Sequence, residues 1–65
     1  MKITVNGTPH EIAALTLAEA LAELGYAEAR VATAVNESFV PAPARNGLAL
    51  AAGDRLEILA PMQGG

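Results

Sequence analysis

Cysteine is absent from the 65 residues, which excludes disulfides, thiolate chemistry and cysteine-ligated metal sites, and fits the cytosol. The one histidine, His10, cannot build a metal centre alone, and no ligand spacing surrounds it. The one serine, Ser38, has no histidine or aspartate arranged around it in sequence, so a serine nucleophile is not expected. Aromatic residues make up 3% of the chain against 52% hydrophobic residues, many of them alanine. Such a core is thin per residue, and a chain this short lies near the lower limit for folding without staples. Stability must then come from well-placed local signals. Long apolar runs are missing as well: "MKITVNG" has no signal-peptide core, and no stretch approaches a membrane span. The chain reads as mature, soluble and cytoplasmic. Basic residues are few, 4 against 7 acidic ones, giving a net charge of −3 and a pI near 4.8. A phosphate backbone repels such a chain, so nucleic acid is not an expected partner, and a basic protein face suits it better.

What is present is a series of clear local signals. In "KITVNGTPHEI", Ile3 and Val5 alternate with polar neighbours, and Asn6-Gly7 is the strongest two-residue hairpin signal. Pro9 in the second arm offers no ladder N–H, which places that arm at a sheet edge. His10 shares parity with Ile12, so it reads as a half-buried structural residue. "LTLAEALAELG" predicts a helix: Thr16 and Glu19 form a capping-box pattern, Leu17, Ala20, Leu21 and Leu24 share one stripe, and Gly25 is placed at C′. Glu19 and Glu23 are neighbours on the helix surface and read as a solvated face.

Farther on, Val31, Thr33 and Val35 alternate with Ala32 and Ala34, and the chain turns near Asn36-Glu37 into Phe39-Val40. Pro41 and Pro43 predict an irregular stretch through Arg45-Asn46-Gly47. A turn at Gly53-Asp54 leads to a last strand, with Leu56, Ile58 and Ala60 on one face and Arg55, Glu57 and Leu59 on the other. The order is strand, strand, helix, strand, a loop with a short strand, and strand, which makes a two-layer α+β domain. With the last strand lying centrally beside the first, the arrangement is a β-grasp. Periodicity supports the elements and does not by itself fix the strand order.

Pro61 stops the last strand, and Met62, Gln63, Gly64 and Gly65 cannot pack as a further element. Residues 1–61 are therefore expected to be the domain and 62–65 a flexible tail. Its two terminal glycines lack Cβ atoms and could enter a narrow active site of another protein. The terminal carboxylate is ionised at neutral pH and must be activated before it can act as an acyl donor. Leu59 is expected on the outer sheet face near this tail, either as a partner contact or as an ordinary exposed leucine.

The "VNG" after the first strand, "AVNESFVP" in the middle and "GDRLEILAPMQGG" at the end resemble the ThiS family of sulfur carriers of thiamine biosynthesis. The resemblance spans essentially the whole chain. It implies a ubiquitin-like β-grasp with a mixed four- to five-stranded sheet, one main helix on one face and a Gly-Gly tail. It implies that a ThiF-like adenylating enzyme uses ATP and magnesium to adenylate Gly65. A persulfide sulfur then displaces AMP, and the resulting thiocarboxylate passes its sulfur to a ThiG-like thiazole synthase. The chain itself would bind no cofactor, would be a protein cosubstrate rather than an enzyme, and would be monomeric when free. Without cysteine, transferable sulfur can ride only on a terminal acyl group, since methionine sulfur does not exchange in this way. Family members often read "VPR" after the middle strand; here "VPAPAR" sets Arg45 four residues beyond Pro41, and no role is carried over to it. Three other readings share these features: the small subunit of molybdopterin synthase, a ubiquitin-like modifier, and a stand-alone β-grasp binding module with a passive tail.

Overall fold

The computed structural model describes residues 1–60. Strands β1 (Lys2–Val5) and β2 (Thr8–Glu11) form the first hairpin, with Val5 opposite Thr8. Asn6 and Gly7 are its two loop residues, at φ of +50° and +85°. Both signs are those a type I′ turn demands, and its twist matches that of the flanking strands. Pro9 lies in β2, an edge strand, where its missing N–H costs no inter-strand bond on the solvent side. His10 is half-buried opposite Ile3.

Helix α1 (Leu17–Glu23) starts as its capping box predicts. The Glu19 N–H donates to Thr16 Oγ1 at 3.2 Å, and the Glu19 carboxylate accepts from the N–H groups of Thr16 and Leu15. The Glu23 carboxylate reaches back to the N–H groups of Ala13 and Ala14. The expected solvated acidic face is thus exposed, but it also satisfies amides of the connection from β2. The helix ends in a Schellman motif: the Tyr26 N–H donates to Leu21 O at 2.7 Å and the Gly25 N–H to Ala22 O, with Gly25 at φ +95°.

Strands β3 (Ala32–Val35) and β4 (Ser38–Val40) form the second hairpin around Asn36 and Glu37, at φ of +51° and +73°. The stretch expected to be irregular is a 3-10 helix over Ala42–Gly47. Proline in its first turn supplies a φ already suited to helix and has no N–H that the first turn would need to satisfy. The chain then runs beside the entry to α1, where the Leu17 N–H donates to Leu48 O and the Leu50 N–H to Leu15 O. Strand β5 (Arg55–Leu59) follows a turn with Gly53 at φ +89°.

The described strands form one sheet in the order β2-β1-β5-β3-β4, with β5 parallel to β1 and antiparallel to β3. The last strand of the sequence is therefore the central strand of the sheet. Ile3 and Val5 of β1, Leu56 and Ile58 of β5 and Val35 of β3 bury against Leu17, Ala20 and Leu21 of α1. Each large side chain so removed from water contributes about 1.5–3 kcal/mol before entropy is counted. This is the ubiquitin-like β-grasp.

Candidate functional site: the exit of the central strand

Three groups converge where β5 leaves the sheet. The first is an apolar corner of the outer face. Register places Leu59 opposite Ala32, and Ala34 opposite both Glu57 and Phe39. Leu59 and Phe39 are each 69% exposed, and the alanines leave the surface low between them. Leu59 thus faces outward as its parity requires, whereas the face of Phe39 was set by the register of the Asn36-Glu37 turn. Two exposed large side chains on one corner are more than the scattered single leucines of an ordinary surface.

The second group surrounds Arg45. Its Nη2 donates to Val31 O at 2.6 Å and its Nε to Thr33 Oγ1 at 3.2 Å. Thr33, 2% exposed, donates its own hydroxyl to Val40 O at 2.9 Å. Strand β4 has ended at Val40, so a strand partner for Val31 is missing there, and the guanidinium takes its place. Leu59, Ala60, Val31, Ala32, Ala42 and Arg45 line an open concavity of about 530 Å³ beside the root of the tail. The sequence left Arg45 without a role. In the structure it joins the 3-10 helix to β3.

The third group is a clamp on β5 itself. The Asn6 N–H donates to Leu56 O at 2.9 Å, continuing the parallel ladder. Strand β1 then turns away, which would leave the N–H and C=O of Ile58 without a strand partner on that side. The Asn6 carboxamide supplies both: the Ile58 N–H donates to Asn6 Oδ1 at 2.8 Å, and Asn6 Nδ2 donates to Ile58 O at 3.1 Å. A carboxamide carries the same donor and acceptor as a peptide unit, so the side chain extends the ladder by one step. Leaving either group of this buried residue unpaired would cost about 1–3 kcal/mol. Asn36 acts similarly at the start of β5, accepting from the Arg55 N–H at 2.9 Å and donating to Asp54 Oδ1 at 3.0 Å. Sequence reading assigned both asparagines to their turns; the turn preference alone explains the residue type and hides the second role.

Met62, Gln63, Gly64 and Gly65, the expected tail, lie outside the described residues, as does the expected boundary after residue 61. Among the described residues there is no cluster of three or more side chains able to hold a metal ion, and no helix is long and apolar enough to cross a membrane.

Comparison with known proteins agrees with this architecture, that of a ubiquitin-like β-grasp protein. The family model of the ThiS family matches residues 3–65. The chain belongs to the ThiS family, the small sulfur-carrier proteins of thiamine biosynthesis. A crystal structure of the thiamine biosynthesis protein ThiS from Geobacter metallireducens is 32% identical, with all of both chains covered and a TM-score of 0.85. An NMR solution structure of a thiamine biosynthesis protein from the same organism is 30% identical, with a TM-score of 0.80; the match covers all of this chain and 88% of that one. No curated protein matches the chain.

Proposed function

We propose that the carboxylate of Gly65 is the sulfur-carrying group. A ThiF-like adenylating enzyme, holding ATP and magnesium, directs a carboxylate oxygen onto the α-phosphorus, and pyrophosphate leaves. A persulfide sulfur attacks the acyl carbon and expels AMP. A second thiol cleaves the acyl disulfide and frees the thiocarboxylate, whose sulfur a ThiG-like thiazole synthase takes. Residues 1–61 act as the docking domain and 62–65 as the tail, in the cytoplasm, with ATP and the reacting side chains belonging to the partners. Leu59 contacts the partner, with Phe39 on the same face across β3. The observation that carries this reading is the central position of β5. The strand that leads to Gly65 is hydrogen-bonded on both flanks and emerges beside an exposed apolar corner. Membership of a sulfur-carrier family and the absence of cysteine support it.

The test is the intact mass of the chain after incubation with ATP, a sulfur source and the adenylating enzyme. The expected result is the gain of sulfur for one oxygen, mapped to Gly65, and its loss on deleting Gly64-Gly65 while the fold stays unchanged. Thiamine-forming activity retained by the truncated chain would refute the assignment.

A further inference from the structure

Asn6 lies in a turn 52 residues from Ile58 in sequence, yet its side chain holds both main-chain groups of Ile58. We infer that Asn6 is a positioning residue for the tail: its carboxamide fixes the end of β5 so that the tail departs from a rigid root. The inference rests on the carrier reading given above and adds a residue that acts at a distance from the reacting carboxylate.

The geometry separates this role from a general contribution to folding. Main-chain groups of successive β5 residues alternate between its two flanks. Arg55 bonds toward Asn36 on the β3 side, and Leu56 and Ile58 bond toward Asn6 on the β1 side. On the β1 side the paired register ends at Val5 and Leu56. Ile58 is the next residue facing that flank, and there the Asn6 side chain replaces the strand. Removing it leaves the last residues of β5 held from β3 alone, through Glu57 opposite Ala34 and Leu59 opposite Ala32, the residues whose main-chain groups face that flank. A frayed root must be ordered again each time a partner threads the tail into its active site.

The molecule contains its own control. Asn36 has nearly the same φ as Asn6 and binds the same strand, but at Arg55, the end remote from the tail. Asn6→Gly and Asn36→Gly each remove a carboxamide, and glycine tolerates the positive φ without turn strain. Both variants and the wild type are assayed below their melting temperatures for thiocarboxylate formation by the adenylating enzyme, with amide hydrogen exchange read at Ile58. Asn6→Gly is expected to lower kcat/KM about tenfold, close to the cost of ordering about one further backbone residue. It is also expected to raise exchange at Ile58 by about tenfold or more. Asn36→Gly is expected to match the wild type within about twofold in transfer, even where its melting temperature falls as far. Wild-type transfer rates in Asn6→Gly, or equal losses in the two variants, would overturn the positioning role and leave the carrier reading standing. A wild-type chain that is never converted, with the enzyme active on another carrier, would overturn the carrier reading and the positioning role with it.

Discussion

Thr33→Val tests whether Arg45 is held by a buried hydroxyl. Valine keeps the β-branched shape in a site that is 2% exposed and replaces only the hydroxyl, by a methyl. Two hydrogen bonds are lost, the 2.9 Å donation to Val40 O and the 3.2 Å acceptance from Arg45 Nε. The neutral bond contributes about 1 kcal/mol net, and the charge-assisted one about 1.5 kcal/mol, at the low end because Arg45 is half-exposed. An added buried methyl offsets about 0.8 kcal/mol. The expected loss is therefore about 1.5–2 kcal/mol. In a domain this small that lowers Tm by roughly 6–16 °C. Urea unfolding of Thr33→Val, Arg45→Met and the double variant isolates the shared bond. Methionine keeps an apolar stem but donates nothing, and the cycle should return a coupling of about 1.5 kcal/mol. Additivity within about 0.3 kcal/mol, or a Thr33→Val variant as stable as the wild type, would refute the reasoning.

Glu37→Gly should stabilise the chain by about 0.5–1 kcal/mol, since Glu37 holds φ +73° and its contact to Arg55, 3.4 Å between two exposed groups, contributes little. A lowered denaturation midpoint would show that the contact outweighs the backbone strain. Thr16→Ala removes the helix cap and half of the capping box, and calorimetry should record a loss of about 1 kcal/mol. Leu59→Ser should leave stability within about 0.5 kcal/mol, because the side chain is 69% exposed. The same change should raise the KM of the adenylating enzyme for the carrier several-fold, and an unchanged KM would remove Leu59 from the docking surface.

The local elements could be read from the sequence because each is set by a few adjacent residues. Asn6-Gly7 determined the first hairpin through the sign of φ, Thr16 and Glu19 set the helix start, and Gly25 set its end. Alternation along β5 placed Leu56 and Ile58 inward and Leu59 outward. The irregular reading of residues 42–47 failed because proline marks both the end of a strand and the first turn of a helix, and local sequence does not choose between them.

Other features depended on segments far apart in the chain. Periodicity says which face a strand buries but not which strand lies beside it, so the central place of β5 was settled by the packing of the sheet against α1. The expected site was legible as a tail and an outward Leu59. The supports of its root were not. Arg45 reaches Val31 and Thr33 only because the 3-10 helix, which packs against α1, brings its side chain back to residues 12 and 14 positions earlier in the chain. Asn6 reaches Ile58 only because β1 and β5 run parallel and β1 turns away after Val5, opposite Leu56, while β5 runs three residues farther to Leu59. The sequence by itself determined the turns, the caps and the inward faces, since those follow from φ, hydrogen bonding and parity within a few residues. The tertiary structure alone decided that an asparagine of the first turn holds the last strand, because that bond forms only after the two ends of the chain have met.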